Sequence, residues 1–305
     1  PGNYPNTDAK TLAAADSAFA AIADGALTLV DGLAYARLPQ IMQRESGRLH
    51  LAALVHHPLA DEGNLPEATA RAFETDEAAA LEHAQAVICT SETTGRRLTP
   101  HYAVSENKLH VAPPGTLRKS QLTHEHQTNA LLCVASIVQR KGHDVLIEAL
   151  AQVRDLDWSA RFVGPSRDDA WRARLDQQIA SHGLADRIVF TGPLAELDTE
   201  YAQAGIFVLA TRHEGYGMAY AEALAAGLPI VGCAVGAVPE VVPPDAGALV
   251  PADDPAAFAA ALRALLTNSD IYDAAAAGAQ AAAETLPRWD ESVAIIARAL
   301  EGIDT

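Results

Sequence analysis

Short apolar runs alternate with helical patterns along the first third of the chain. The runs have the length and composition of buried strands, and they lie at residues 27–30, 49–55, 86–90 and 108–111. Apolar residues that recur every three or four positions predict a helix at residues 11–23, and a second helix is expected at 33–44. The alanine- and glutamate-rich composition of residues 65–84 predicts a third. Ser91 is expected to cap a further helix after the third run. Strands that alternate with helices in this way indicate an α/β domain with a parallel sheet.

A second series of the same kind begins at residue 130. Its strands are predicted at residues 130–134, 160–163, 188–190, 206–209 and 229–233. Its helices are predicted at residues 142–153, 168–182, 197–204, 255–266, 271–284 and 289–300. The polar segment 117–128 is expected to link the two series. The predicted fold class is therefore α/β, with two doubly wound Rossmann-like domains facing a cleft, and ligands of such sheets bind beyond the carboxyl ends of the strands.

The stretch from residue 213 to residue 231 has the most informative pattern. It follows a predicted strand, passes Gly215 and Gly217, and becomes helical before the next strand. A loop that enters a helix presents free backbone N–H groups, and these bind anions. Glu214 and Glu222 are eight residues apart in this stretch, and a carboxylate can accept two hydrogen bonds from a vicinal diol. Sites for phosphate and for hydroxyl groups together suggest a sugar nucleotide.

A simpler interpretation of the two carboxylates stays open at this point. Glu214 could cap the helix, and Glu222 could be an ordinary solvated side chain. The two glycines favour the binding interpretation, because they let a ligand approach the backbone closely and would otherwise weaken the start of a helix.

Cations that could neutralise a diphosphate lie at a second strand-to-helix turn. Arg140 and Lys141 follow the strand predicted at 130–134 and precede a helix. A solvated surface pair is the alternative interpretation. Arg212 and His213 are weaker candidates of the same kind.

Histidines end one strand of the first series. His56 and His57 follow the run 49–55, and Pro58 prevents its continuation. A histidine there could contact a sugar or act in proton transfer, although such a residue often has a purely structural role. The eleven histidines and three cysteines show no zinc-ligand spacing, and the His124-Glu125-His126 segment lacks further ligands. The pair Asp253-Asp254 is interpreted as the cap of the helix that starts at Pro255.

Composition narrows the possible partners and the cellular setting. The chain has 305 residues, 49% of them hydrophobic, which is enough for two domains with cores of their own. A formal charge of −17 argues against nucleic acid or an anionic membrane as the main partner. Cys89, Cys133 and Cys233 lie in apolar runs and are interpreted as reduced, buried thiols. No apolar run approaches the roughly 20 residues of a membrane helix, so a cytoplasmic protein is expected.

Five ordered segments in the carboxyl half resemble the retaining glycosyltransferases of family 4, which have the GT-B fold. The segments are residues 134–142, 189–192, 207–217, 222–231 and 236–242. The resemblance implies that Glu214 meets the donor hexose, Glu222 the ribose and Lys141 the diphosphate. It implies no cofactor and no bound metal, because lysine, arginine and a helix amino terminus carry the charge of the leaving group.

The resemblance also implies the rest of the donor site. His56 corresponds to a strand-end histidine near the donor sugar and, with Glu214, is the predicted catalytic residue. Base contacts are expected with the backbone from Gly192 to Leu194. The complete set of predicted donor-binding residues is Ser136, Arg140, Lys141, Gly192, Leu194, His213, Gly215, Tyr216, Gly217 and Glu222.

The chain departs from the family pattern in two places. Ala135-Ser136 stands where the family usually has Gly-Arg, and Arg140 is the predicted substitute for the missing cation. Nothing before Leu27 resembles the family's first strand and glycine-rich loop, so a shortened, incomplete amino-terminal domain is expected. The predicted domains are an acceptor-side domain at residues 1–118, a donor-binding domain at 119–287, and a last helix at 288–305 that returns to the first domain.

The leading hypothesis is a metal-independent, retaining hexosyltransferase. It would move a sugar from a nucleoside-diphosphate donor to a hydroxyl of a saccharide, a lipid or a small molecule. A nucleotide-sugar binding module, or an inactive truncated glycosyltransferase, is the alternative. An epimerase or phosphorylase on the same fold is a third hypothesis, and the sequence has no pyridoxal phosphate motif to favour a phosphorylase. The chain also lacks the motifs of serine hydrolases, P-loop ATPases and dinucleotide-dependent dehydrogenases.

Overall fold

The chain forms two compact units. The structure, a computed structural model, describes residue 5 and residues 7–62, 65–117 and 129–303. The first unit contains Pro1–Gly115 and Arg288–Thr305, and the second contains Thr116–Pro287. Nearly all of the predicted linker and the segment His124-Glu125-His126 lie outside the described residues.

The first unit is built on a four-stranded parallel sheet. Its strands, in spatial order, are β1 (Leu27–Asp31), β2 (His50–Val55), β3 (Ala86–Cys89) and β4 (Leu109–Val111). The helices along this part of the chain are α1 (Ala9–Ala20), α2 (Gly32–Tyr35), α3 (Pro39–Glu45), α4 (Glu67–Leu81) and α5 (Glu92–His101). The register pairs Asp31 with Leu54 and Val55 with Cys89, so the segments that follow these strands leave from one edge of the sheet.

The second unit is built on a six-stranded parallel sheet. Its strands are β5 (Ala130–Val134), β6 (Ser159–Val163), β7 (Ile188–Gly192), β8 (Ile206–Leu209), β9 (Ile230–Cys233) and β10 (Gly247–Val250), in the spatial order β10-β9-β8-β5-β6-β7. Its helices are α6 (His143–Gln152), α7 (Asp169–Ser181), α8 (Asp198–Gln203), α9 (Met218–Ala225), α10 (Val238–Val241), α11 (Pro255–Thr267) and α12 (Ser269–Ala283). Strands β8 and β9 are buried at every position, which explains their continuous apolar runs.

The strand order reverses between β5 and β8. The chain runs outward from β5 to β7 on one side and then crosses to β8 on the other side. In a doubly wound sheet the loops at such a point diverge to opposite faces, and the crevice between them is where ligands bind. The two loops at this point are the ones that carry most of the predicted donor-binding residues.

The last helix of the chain belongs to the first unit. Helix α13 (Trp289–Glu301) contacts β3 and β4, where Ala299 is buried with Ile88 and Ala112. Its Ser292 hydroxyl donates to the carbonyl of Pro113. The start of α13 also passes so close to Gly115 that a Cβ there would lie 2.1 Å from the backbone nitrogen of Trp289.

One predicted helix was wrong, and two short elements, helix α10 and strand β10, were not predicted. The helix predicted at 33–44 is two helices, because Pro39 disfavours helical backbone at the preceding Leu38, where φ is −125° and ψ is 40°. Strand β10 was missed, since it is a four-residue strand at the end of the sheet whose half-buried residues give no strong apolar run.

Candidate functional site

Two loops leave the carboxyl ends of the neighbouring strands β5 and β8. We call residues 135–142 the first loop and residues 210–217 the second loop. Their backbones are joined where the N–H of Arg212 donates to the carbonyl of Arg140 at 2.8 Å. The hydroxyl of Thr211 also donates to that carbonyl, at 3.3 Å. The sequence places these loops about seventy residues apart, and the sheet brings them into direct contact.

Glycines allow the two loops to approach each other and to enter their helices. Gly142 has a φ of +65°, and a Cβ at this position would lie 1.8 Å from the carbonyl oxygen of Ala210. Gly217 has a φ of +103° and occupies the position just before α9. Both conformations are open to glycine and costly for other residues.

Lys141 and Glu214 form the centre of this contact. The ammonium of Lys141 donates to Oε1 of Glu214 at 2.6 Å, and the two side chains are 17% and 9% exposed. Arg140 donates to the carbonyl of His213 at 2.8 Å and lies 3.9 Å from Oε2 of Glu214. These cations are therefore paired and largely buried, and the solvated-pair interpretation is wrong. The helix-cap interpretation of Glu214 is also wrong, because its carboxylate faces Lys141.

The backbone of Glu214 is fixed from a third segment. Its carbonyl accepts a hydrogen bond of 3.0 Å from the N–H of Ala237, in the segment between β9 and α10. A Cβ at Gly236 would lie 2.1 Å from the same carbonyl oxygen. Glu214 is therefore held at its backbone as well as at its carboxylate.

Glu222 lies in α9 and is oriented by a tyrosine. The hydroxyl of Tyr201 donates to Oε2 of Glu222 at 2.8 Å. Tyr201 is fully buried, and burial raises the pKa of its phenol, so the hydroxyl keeps its proton and acts as a donor. Glu222 is half-buried rather than a fully solvated side chain. Sequence analysis missed Tyr201, because nothing in the pattern of α8 distinguishes it from a core aromatic residue.

Arg212 is bound by protein groups on several sides. Its guanidinium donates to both carboxylate oxygens of Asp144, at 3.0 and 2.8 Å, and to Oδ1 of Asp253 at 2.7 Å. The hydrogen bond with Asp144 raises the pKa of Arg212. Asp254 caps α11 as predicted, by accepting from the N–H of Ala257 at 2.9 Å. Asp253 has a different partner from the one predicted, since it binds Arg212.

The remaining predicted donor-binding residues lie near the carboxyl ends of the strands. Ser136 is half-buried on the first loop, and Gly215 and Tyr216 are buried on the second. Burial raises the pKa of Tyr216 to about 12. Gly192 ends β7 with a φ of +75°, and Leu194, two residues further on, is 39% exposed.

His56 belongs to the first unit and pairs with an aspartate that sequence analysis missed. Its Nε2 lies 2.9 Å from Oδ2 of Asp31, and both side chains are about half exposed. Asp31 is the last residue of β1 and also caps α2, by accepting from the N–H of Leu33 at 3.0 Å. The signal that would have found it is a charged residue directly at the end of an apolar run. His57 lies 2.9 Å from Oε1 of Glu62 and is mostly buried.

A buried acid supports the segment that follows His56 and His57. The carboxylate of Glu77 in α4 accepts from the N–H of Leu59 at 2.9 Å. Burial raises the pKa of Glu77 to about 8. Nearby, Arg97 donates to Asp61 at 2.6 Å, which fixes the far end of the same segment.

Two features of the described residues concern metal ions and membranes. In the part of the chain that the structure describes, His, Cys, Asp and Glu side chains form no cluster of three or more that could hold a metal ion. No helix in the described residues is both long and apolar enough to cross a membrane.

Comparison with known sequences identifies relatives of the second unit and of much of the chain. Residues 128–268 match the family described as glycosyl transferases group 1. The D-inositol 3-phosphate glycosyltransferase of Geodermatophilus obscurus is 30% identical over 249 residues, which cover 74% of this chain and 55% of the relative. The lipopolysaccharide core biosynthesis mannosyltransferase LpsB of Rhizobium meliloti is 32% identical over 154 residues, or 48% of this chain and 43% of LpsB. The chain therefore spans about half the length of these relatives.

Comparison with solved structures identifies the fold. The sucrose-phosphate synthase of Thermosynechococcus elongatus superimposes with a TM-score of 0.79 at 23% identity, covering 95% of this chain and 77% of that protein. Anabaena HepE, solved in complex with UDP and glucose, gives a TM-score of 0.77 at 17% identity, covering 96% of this chain and 81% of HepE. The α/β fold with two parallel sheets matches the GT-B fold of these proteins, which confirms the predicted α/β class with its two parallel sheets.

Proposed function

We propose, because residues 128–268 match the family described as glycosyl transferases group 1, that the chain binds a nucleoside-diphosphate sugar in its second unit and transfers the hexose to an acceptor hydroxyl. We propose family 4 as its class, retention as its stereochemical outcome, and a reaction without a metal or other cofactor. The products are a nucleoside diphosphate and a glycosylated acceptor. The observation that carries the proposal is the buried contact of Lys141 with Glu214 at the point where the strand order reverses.

The diphosphate is proposed to bind where the first and second loops meet. Lys141 and Arg140 supply positive charge there, and the second loop leads directly into the amino terminus of α9. Anions are stabilised by such cations and by the free N–H groups at a helix start. In this proposal the phosphate takes over the Lys141 ammonium from Glu214. The Glu214 carboxylate then becomes available to accept hydrogen bonds from hydroxyls of the transferred hexose.

The nucleoside is proposed to bind beside Glu222. A ribose presents two neighbouring hydroxyls, and the Glu222 carboxylate, held by Tyr201, can accept hydrogen bonds from both. The base is proposed to contact the backbone from Gly192 to Leu194, with Ser136, His213, Gly215, Tyr216 and Gly217 completing the donor site. His56, which pairs with Asp31, is the second proposed catalytic residue beside Glu214. The acceptor class stays open among saccharides, lipids and small molecules.

Calorimetric titration tests the donor site. The parent chain is titrated with UDP, GDP and ADP, and the tightest of these is then used with Glu222→Gln and Lys141→Ala. We expect each variant to lose at least about tenfold in affinity, because hydrogen bonds to charged groups contribute about 1.5–3 kcal/mol. Glu284→Gln, a change of an exposed acid at the end of α12 in the same unit, is the matched control and should bind like the parent. Unchanged affinity in both site variants would remove the assignment.

Turnover is tested separately from binding. The parent is incubated with UDP-glucose and GDP-mannose, with and without an alcohol acceptor, in the presence of a chelator, and the anomeric proton of the product is followed by NMR. Retention predicts an α-linked product from these α-linked donors. A β-linked product would exclude retention. Binding without hydrolysis or transfer would support a nucleotide-sugar binding module instead of an enzyme.

A further inference from the structure

Arg212 is on the second loop of the proposed donor site. It differs from Arg140 and Lys141 in how its charge is balanced. Its guanidinium makes four hydrogen bonds, one with the carbonyl of Gln139 at 2.5 Å, two with Asp144 and one with Asp253. The side chain is 20% exposed. Two carboxylates balance its single charge, so Arg212 brings no excess positive charge to a diphosphate. Lys141 and Arg140 differ in this respect, because they share the one carboxylate of Glu214.

The partners of Arg212 flank the predicted phosphate cations. Gln139 comes directly before Arg140 and Lys141, and Asp144 follows three residues after Lys141, in the first turn of α6. The guanidinium therefore binds the chain on both sides of these cations, at Gln139 in the first loop and at Asp144 in α6. The backbone N–H of Arg212 adds a fourth hydrogen bond to this segment, to the carbonyl of Arg140 at 2.8 Å.

Glu214, the partner of Lys141, lies two residues after Arg212 on the second loop. The distance of 2.6 Å between Lys141 and Glu214 thus depends on how the second loop is seated against the first. Arg212 joins the two loops at both its backbone and its side chain. A planar guanidinium suits this task, since its fixed fork binds a carboxylate with two parallel hydrogen bonds.

The backbone conformation of Asp253 also indicates that the fold specifies its contact with Arg212. Its φ is +56°, a left-handed conformation that is uncommon for residues other than glycine. Such conformations persist where the surrounding structure holds them, and they cluster at functional sites. Here the conformation places the Asp253 carboxylate 2.7 Å from Arg212, while the neighbouring Asp254 caps α11.

We infer that Arg212 is a positioning residue that, through Asp144 and Asp253, sets the relative placement of Lys141 and Glu214 for a nucleoside diphosphate. The inference rests on the proposed function for the identity of the ligand. It assigns Arg212 no direct contact with the phosphates. Breaking the fork should weaken binding of the diphosphate part of the ligand and leave the nucleoside part unchanged.

The first test compares a nucleoside diphosphate with its nucleoside. The tightest of UDP, GDP and ADP, and the corresponding nucleoside, are titrated into the parent and into Arg212→Lys, which keeps the charge but loses the fork. We expect a loss of tenfold or more for the diphosphate and less than twofold for the nucleoside. Equal losses for both ligands, or no loss for either, would overturn the inference. Arg263→Lys is the matched control, because Arg263 makes a similar fork with Asp155 on the exposed surface of the same unit.

Asp253→Asn separates positioning from direct phosphate binding. If Arg212 positions the loops, loss of the Asp253 charge loosens it and the diphosphate binds more weakly, by threefold or more. If Arg212 contacts the phosphates itself, removal of a competing carboxylate leaves the affinity unchanged or increases it. The second result would overturn the inference.

A measurement without ligand distinguishes failure of this inference from failure of the proposed function. Amide hydrogen exchange of the peptide covering residues 139–142 is followed in the ligand-free parent and in Arg212→Lys. We expect exchange to be at least tenfold faster in the variant, with peptides of the first unit unchanged. Unchanged exchange would overturn the inference whether or not a nucleotide binds. A parent that binds no nucleoside diphosphate would overturn the proposed function and with it the diphosphate role, while faster exchange would still show that Arg212 holds the loop.

Discussion

Glu77 is a carboxyl group that the fold removes almost completely from water. It is 1% exposed, and its hydrogen bond with Leu59 connects α4 to the segment after β2. The charges of Asp61 and Glu74 add unfavourable interactions with a carboxylate here, whereas the hydrogen bond from Leu59 and the charge of Arg97 add favourable ones. Burial is the largest influence, and it raises the pKa from 4.5 to about 8. At neutral pH the folded protein therefore holds a proton that the unfolded chain has released.

This proton makes stability depend on pH in a defined direction. Between pH 4.5 and about 8 the folded state binds more protons at Glu77 than the unfolded state, so the free energy of unfolding falls as the pH rises. The slope from this group is at most about 1.4 kcal/mol per pH unit. Below the window both states are protonated, and above it both are ionised. In urea unfolding at pH 5.5, 6.5 and 7.5, the free energy of unfolding should fall less steeply with pH for Glu77→Gln than for the parent. For Glu67→Gln, at an exposed site of the same helix, it should fall as it does for the parent. Equal slopes for the parent and Glu77→Gln would contradict the raised pKa.

Single residues of the candidate site differ in how readily the sequence predicts them. Lys141, Glu214 and Glu222 lie in motifs whose residue types and spacing suggest a ligand, and the structure places Lys141 and Glu214 in direct contact. Tyr201 could not be found in this way, and neither could the pairing of Asp31 with His56, because the partners lie more than twenty positions apart along the chain. Pairing between distant segments depends on the sheet order and register, and a local pattern contains neither.

Among the elements, the buried strands were the easiest to predict. Strands β5 and β8 were predicted with their observed bounds, because a short run of consecutive apolar residues is typical of a buried strand in a parallel sheet. The short helices and β10 were harder, because a proline, a tight turn or an edge position determines them more than periodicity does. The return of α13 to the first unit was expected only from the family resemblance, and the contact of Ala299 with Ile88 and Ala112 supplies a physical reason for it.

The turn into α6 provides a test of how closely the two loops of the candidate site must approach. Gly142 and Gly183 have nearly the same left-handed backbone, with φ of +65° and +68°. A Cβ at Gly142 would lie 1.8 Å from the carbonyl oxygen of Ala210, whereas a Cβ at Gly183 would meet no atom within 4 Å. The two positions therefore share the conformational cost of an alanine and differ in the collision.

We expect Gly183→Ala to lower the free energy of unfolding by about 1–2 kcal/mol, which is the cost of a left-handed conformation. Gly142→Ala should lower it by about 3 kcal/mol or more, because the backbone of one loop must move away from the other. It should also weaken nucleoside diphosphate binding, since Lys141 and Glu214 lie on the two loops that separate. Urea unfolding and calorimetry of both variants check the prediction. Equal stability losses would show that the loops can separate without cost.

At the scale of the whole molecule, the three cysteines report on the two units separately. Cys89 lies in the sheet of the first unit, and Cys133 and Cys233 lie in the sheet of the second. All three are free and buried, as the sequence predicted, and burial raises the pKa of Cys133 and Cys233 to about 12. A buried thiol with a raised pKa reacts with a labelling reagent only after the protein opens around it.

Nucleotide binding should therefore slow the labelling of one unit by a calculable amount. At a nucleoside diphosphate concentration of 100 times the Kd, opening that requires release of the ligand becomes about 100-fold rarer. We expect Cys133 and Cys233 to react with iodoacetamide about 100-fold more slowly under these conditions, as measured by mass spectrometry of their peptides. Glu222→Gln at the same nucleotide concentration is the control and should show much less protection, because its affinity is expected to be lower. If the nucleotide slows Cys89 but leaves Cys133 and Cys233 unchanged, the donor does not bind in the second unit.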